Sequence, residues 1–258
     1  MKVVIFAGGL GTRIAEETEA RPKPMVEIGG KPILWHIMKI YSHYGFNEFI
    51  ICLGYKGYLI KEYFMHYYLH NSDITIEVET NKVDVHSTNT DPFTVTLVDT
   101  GLATKTAGRL KKVQRYIGNE DFMLTYGDGV ADIDVNALLR FHRAHGKIGT
   151  VTAVQPEARF GGMDIGQNGL VNKFKEKPRG DGKWVNGGFF VLKPAVFDYL
   201  EDDSNETMWE DKPMEDLTKA GQLAAYKHLG FWKPMDAMRD KLELESLWQK
   251  DQAKWKVW

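Results

Sequence analysis

Residues 3–6 read VVIF, and Ala7-Gly8-Gly9-Leu10-Gly11 follows at once. A strand that faces water on one side alternates apolar with polar residues. An unbroken apolar run closed by glycine is instead a strand buried on both faces, as in a parallel sheet covered by helices. Similar runs return at residues 49–53 (FIICL), 122–125 (FMLT) and 150–154. Between them, apolar spacing predicts helices at 33–44 (stopped by Gly45), 57–70, 109–116 and 135–145, with two more near 214–220 and 235–248. Strands alternating with helices imply an α/β, Rossmann-like doubly wound sheet, mixed but mainly parallel and flanked by helices.

Residues 74–85 and 93–99 alternate more than they run, so we read them as a small antiparallel strand insertion around an excursion at 86–92. Residues 163–192 carry strand signals broken by turns such as Arg179-Gly180-Asp181-Gly182. With no internal repeat, low-complexity stretch or linker, 1–258 is read as a single domain.

Composition narrows the partners. A formal net charge of -2 leaves no basic surplus for nucleic acid, so affinity for anions has to be built locally. The single cysteine, Cys52, allows no disulfide within the chain and reads as a small buried hydrophobe in a reducing compartment. The opening apolar run is too short for a signal-peptide core, and no stretch approaches the roughly 20 apolar residues of a membrane span. The expectation is a cytoplasmic protein with no membrane partner.

The glycines after the first strand let backbone N–H groups come close to a phosphate. They do not form the dinucleotide fingerprint. Gly9 and Gly11 fit it, but its third glycine position holds Ile14, and no acidic residue follows at the required distance. The P-loop pattern is absent as well. The stretch is a phosphate loop of another kind or a structural turn. Arg13 and Lys23 favour phosphate: arginine grips phosphate oxygens in a fork and lysine acts as a point charge. Pro22 and Pro24 restrict the backbone on either side of Lys23.

Two of these stretches, Ala7-Gly8-Gly9-Leu10-Gly11-Thr12-Arg13 and Arg21-Pro22-Lys23-Pro24-Met25, resemble the signature of the sugar-1-phosphate nucleotidylyltransferases. The likeness continues through Gly29-Gly30-Lys31-Pro32, Tyr126-Gly127-Asp128, Glu176-Lys177-Pro178 and Asn186-Gly187-Gly188, nearly the whole chain. Val98-Asp99-Thr100-Gly101 and Phe231-Trp232-Lys233-Pro234-Met235-Asp236 resemble the members that join CTP to glucose 1-phosphate. The resemblance implies transfer of a cytidylyl group, giving CDP-glucose and pyrophosphate, a precursor for deoxy sugars of surface polysaccharides. Uridylyl or thymidylyl transfer is the nearest alternative. A catalytically silent nucleotide-sugar sensor is an alternative of another class.

The resemblance also implies roles. Arg13 and Lys23 are catalytic, and Lys23 also meets the sugar phosphate. Ala7, Gly8, Gly9, Gly11, Thr12, Arg13, Thr106, Gly108, Arg109, Gly127 and Asp128 bind the nucleotide, with Gly108 and Arg109 as candidates for reading the base. Glu176, Lys177, Asn186, Gly187 and Gly188 bind the sugar phosphate. Asp128 and Asp236 hold Mg²⁺. Without the resemblance, Asp128 reads equally as a turn residue, Asp236 as a helix N-cap and Glu176-Lys177 as a charged turn. The family pattern Thr-Gly-Gly-Arg-Leu stands here as Thr106-Ala107-Gly108-Arg109-Leu110, which places an extra methyl group beside the expected base pocket. A homo-oligomer is implied too.

Other features stay outside this chemistry. His142 and His145 have metal-ligand spacing but lack acidic or cysteine companions, so a solvated helix face is expected; His66 and His70 read the same way. Trp255 and Trp258 imply docking on the body or on another subunit.

Overall fold

The computed structural model describes residues 1–156, 162–165, 170–175, 183–201 and 204–258. In chain order, strand β1 (Val3–Ala7) and short helix α1 (Ala15–Thr18) lead to β2 (Glu27–Ile28), β3 (Lys31–Pro32), α2 (Ile33–His43), β4 (Glu48–Leu53) and α3 (Gly57–His70). Then come β5 (Ser72–Glu77), β6 (Lys82–Thr88), β7 (Thr94–Asp99), α4 (Thr106–Ile117), β8 (Phe122–Tyr126), β9 (Gly129–Ala131), α5 (Val135–His145) and β10 (Gly149–Val154). The last part holds β11 (Gly162–Ile165), β12 (Val171–Lys175), β13 (Val185–Asn186), β14 (Phe190–Leu192), α6 (Lys212–Lys219), β15 (Leu223–His228), β16 (Trp232–Pro234) and α7 (Met238–Gln249).

Among the described residues the central sheet has eight strands. β1 lies between β8 and β4, parallel to both, and β7 extends the parallel set beyond β4. On the other side of β8, β14 runs antiparallel to it, β10 antiparallel to β14, and β15 parallel to β10. β13 pairs with the far end of β10. The sheet is mixed and mainly parallel, as the apolar runs imply.

Those runs are continuous because each strand feeds two cores. Val3, Ile5 and Ala7 pack with Ile33 and Ile37 of α2, Leu138 of α5 and Leu244 of α7. Val4 and Phe6 face the other way, onto Leu110 and Val113 of α4 and Leu217 of α6. Period-two alternation still governs where each side chain goes, but both faces are dry.

Three expectations are corrected. Residues 74–85 are not one strand. They fold back as the antiparallel hairpin of β5 and β6, turning through Asn81 at φ 55. β7 belongs instead to the main sheet, parallel to β4, and its alternation reflects an edge position with only Val98 fully buried. The solvated histidine face is also corrected at α5. Val135, Leu138, Leu139 and His142 form its buried stripe, at helical spacing. His142 Nδ1 lies 2.8 Å from Thr150 Oγ1, and His145 Nε2 reaches the same hydroxyl at 2.7 Å. Burial pulls the His142 pKa down to about 4. His66 and His70 are exposed, stacked on each other.

The terminal tryptophans dock on the body. Trp255 is buried, stacks on Phe231 and donates its indole N–H to His36 Nδ1 at 3.3 Å. Trp258 meets Trp35 edge-on. Cys52 is buried in the sheet, where desolvation pushes its thiol up to about 12.

Candidate active site

The site lies at the carboxyl ends of β1 and β8, where ligands gather in open α/β sheets. After β1 the chain cannot continue as strand. Gly11 takes φ 66, and a Cβ there would stand 2.7 Å from Thr18 Cγ2. Thr18 on α1 donates from Oγ1 to the Gly11 carbonyl, which fixes the loop's exit into Thr12 and Arg13. Gly8 is buried while Gly9 is exposed, so the loop presents backbone to solvent over a packed floor.

That floor is Arg109. Its guanidinium donates to the carbonyls of Leu53 at 2.9 Å, Gly8 at 3.0 Å and Leu102 at 3.3 Å, and to Thr100 Oγ1 at 2.6 Å. It is 4% exposed and ties together the ends of β1, β4 and β7. Gly108 is likewise a packing glycine, since a Cβ there would meet the backbone of Ser204 and Asn205 at 2.8 Å. Ala107 is fully buried against the sheet, so its methyl group leaves the pocket unchanged. Of that stretch, only Thr106 lines the cleft.

Lys23 occupies a one-turn 3₁₀ helix entered from Pro22 in extended conformation. Its Nζ donates to Asp128 Oδ2 at 2.6 Å and to Asp236 Oδ1 at 2.9 Å. Burial lowers its pKa, but the two carboxylates outweigh this and hold it above the ordinary lysine value. It is therefore an ammonium at neutral pH. Arg13 reaches Asp236 Oδ2 at 3.5 Å from an otherwise exposed side chain.

The 105 and 213 residues that separate Lys23 from these carboxylates are spanned by one small ladder. β16 pairs antiparallel with β9, placing Pro234 opposite Gly129, and Met235 N–H donates to the Asp128 carbonyl at 2.8 Å. Asp128 thus follows β8, Asp236 follows β16, and both meet the same lysine. The N-cap of α7 is Ala237, so Asp236 is not the cap.

Two clefts meet at these carboxylates. One, of about 360 Å³, is lined by Ala7, Gly9, Gly11, Thr12, Arg13, Lys23, Thr106 and Gly127, with Tyr126, Asp128 and Asp236 at its inner wall. The other, of about 200 Å³, shares that wall and adds Asn186, Gly187 and Trp232. Trp232 donates from its indole N–H to the Gly187 carbonyl at 2.8 Å, and Gly188 takes φ 74. Glu176 and Lys177 lie outside the described residues. The sequence reading missed Tyr126, Met208 and Trp232 as lining residues. Tyr126 and Trp232 stood inside quoted motifs, whereas Met208 carried no signal.

The donor set suits a hard divalent cation. Two carboxylates converge on one point beside a phosphate-sized cleft, and Mg²⁺ typically takes one or two carboxylates, with water and substrate phosphate completing its shell. Among the described residues no group of three or more His, Cys, Asp or Glu side chains could hold a metal, so the set stops at two.

A glycine loop at the end of a central parallel strand, beside a lysine clasped by two carboxylates between paired clefts, defines a nucleotide-handling phosphoryl-group site. The chain belongs to the nucleotidyl transferase family, whose model matches residues 2–250. It is 57% identical over 259 residues to the glucose-1-phosphate cytidylyltransferase of Salmonella typhi, covering 100% of both chains. It is 47% identical over 258 residues, again 100% of both, to the probable glucose-1-phosphate cytidylyltransferase of Bacillus subtilis (strain 168). A UDP-glucose pyrophosphorylase complexed with UDP-glucose shares the fold at TM-score 0.69 and 17% identity, covering 97% of this chain and 98% of that one.

Proposed function

We propose that this protein transfers the cytidylyl group of CTP to glucose 1-phosphate, giving CDP-glucose and pyrophosphate. A phosphate oxygen of glucose 1-phosphate attacks the α-phosphorus of CTP, and the bond from that phosphorus to the β-phosphate oxygen breaks. The nucleophile is already an anion, so no general base is needed. The work left to the protein is alignment and neutralisation of charge.

The observation that carries this reading is Lys23, fixed by Asp128 and Asp236 where the two clefts meet. The larger cleft takes the nucleotide, with N–H groups of the Gly8–Gly11 loop, Thr12 and Arg13 around the departing phosphates. The smaller takes the sugar phosphate beside Asn186, Gly187 and Gly188. Lys23, in the wall of the larger cleft and held by the two carboxylates that both clefts share, faces the transferring phosphate. Asp128 and Asp236 would hold Mg²⁺, which when bound neutralises phosphate charge. Full-length identity to the Salmonella typhi enzyme supports the choice of cytidylyl and glucose. A silent sensor is disfavoured because Arg13, Lys23, Asp128 and Asp236 are all present and brought together.

A homo-oligomer in the cytoplasm belongs to the same proposal, supported by the family resemblance. Sedimentation of the purified chain tests the assembly. Among the described residues no helix is long and apolar enough to cross a membrane.

Phosphorus NMR of a mixture of CTP, glucose 1-phosphate, Mg²⁺ and protein tests the reaction. The expected result is loss of the monoester signal with growth of a sugar-nucleotide diphosphate pair and pyrophosphate. Release of inorganic phosphate, or an unchanged spectrum, would contradict it.

A further inference from the structure

Glu210 lines neither cleft, yet both of its carboxylate oxygens are held by side chains that do. Tyr126 Oη–H donates to Oε1 at 2.5 Å, and Thr106 Oγ1–H donates to Oε2 at 2.7 Å. The series extends at both ends. Asn186 Nδ2–H donates to Tyr126 Oη at 3.1 Å, and Gly188 N–H donates to Asn186 Oδ1 at 2.9 Å. On the other side, Trp209 N–H donates to Thr106 Oγ1 at 2.7 Å. Every donor is directed toward Glu210, so each bond polarises the next in the same sense.

The two ends of this series are the two halves of the site. Thr106 stands on the first turn of α4, in the wall of the larger cleft. Asn186 stands in the smaller cleft, at the head of a turn that needs external support. Gly188 takes φ 74 and Phe189 takes φ 46, a left-handed conformation in which a bulky residue is strained. Tyr126, the central member, borders both clefts and immediately precedes Gly127-Asp128.

We propose that Glu210 is a positioning residue that locks the sugar-phosphate half of the site to the nucleotide half, by holding the Asn186–Gly188 turn through Tyr126 while rooted on Thr106. This rests on the reading above, in which the Asn186 side of the site takes glucose 1-phosphate.

The variants are Tyr126→Phe, Glu210→Ala and Glu210→Gln, compared with the parent chain. Two readouts are taken: steady-state rates with each substrate varied in turn, and hydrogen–deuterium exchange of the peptide containing Gly188. Tyr126→Phe and Glu210→Ala should raise KM for glucose 1-phosphate about tenfold, the scale of one lost hydrogen bond to a charged group, and raise KM for CTP clearly less than that. Exchange at Gly188 should quicken in both. Glu210→Gln should restore most of both properties. Its amide oxygen still accepts from Tyr126, and the Thr106 hydroxyl can accept from its NH₂ while turning toward Met208 Sδ, 3.9 Å away. Equal rises in both KM values, or unchanged exchange in Tyr126→Phe and Glu210→Ala, would overturn the proposal. If the parent chain fails to turn over CTP with glucose 1-phosphate, the substrate reading falls. The exchange comparison then still decides whether Glu210 holds the turn.

Discussion

Replacing Lys23 by alanine removes the one cation that, among the described residues, Asp128 and Asp236 share. At about 4 Å and an effective dielectric near 20, each unit-charge pair is worth about 4 kcal/mol before desolvation is subtracted. The lysine side chain is 14% exposed, so that attraction is only partly screened by water. For catalysis, loss of one preorganised charge-stabilising group costs about 10²–10³ in kcat. A second effect follows from the geometry. With the ammonium gone, the two carboxylates lose their shared partner and keep, among the described residues, only Arg13 at 3.5 Å from Asp236, so the variant should melt lower than the parent chain. Added Mg²⁺ should then raise its melting temperature by more than it raises the parent's, because the metal no longer competes with a built-in cation. Pyrophosphate release measures the first effect and a thermal melt with and without Mg²⁺ the second. Activity within about fivefold of the parent, or a melting temperature equally indifferent to Mg²⁺ in both proteins, would refute the assignment of Lys23 to the transferring phosphate.

Asp128→Asn should abolish most turnover while leaving the fold intact, and the circular dichroism spectrum should match that of the parent chain. Gly11→Ala should cost about 1–2 kcal/mol in denaturant melts, because alanine resists the left-handed conformation, and a loss below the error of the melt would refute that. Trp255→Ala should cost about 3–5 kcal/mol, as for a fully buried aromatic, whereas a tail that merely rests on the surface would change little. Stability should also fall in acid. His36 is fully buried with its pKa lowered from 6.5 to about 4 by desolvation, so between those values the unfolded chain takes up a proton that the folded chain refuses. A melting temperature flat from pH 7 to about pH 4 would contradict this linkage.

The sequence disclosed the parallel core, because a strand buried on both faces leaves a short unbroken apolar run. The helices α3 and α5 were legible from their apolar spacing, with Gly57 marking the start of α3 and Gly146 the end of α5. Arg13 and Lys23 were legible as chemistry, since glycines and prolines free or restrict the backbone beside them, whereas Asp128 and Asp236 were legible only through the family resemblance. What each side chain faces was harder to read. Ala107, Gly108 and Arg109 stand in one motif, yet the first turn of α4 is wedged against residues 204–206 and the sheet, so all three point inward. That wedge is a long-range contact with no local trace. His142 could have been placed, because it lies seven residues after Val135 on the same apolar stripe. Glu210 had no signal of its own, because its partners come from α4 and β8.

The account turns on which nucleotide this site activates. Pyrophosphate release should be measured with glucose 1-phosphate and Mg²⁺ against CTP, UTP, dTTP, ATP and GTP in parallel. The account predicts that CTP is preferred, with Ala107 tolerated because it is packed away from the cleft. Preference for UTP or dTTP would keep the chemistry at Lys23 and contradict the cytidylyl assignment. Silence with all five would contradict the account itself.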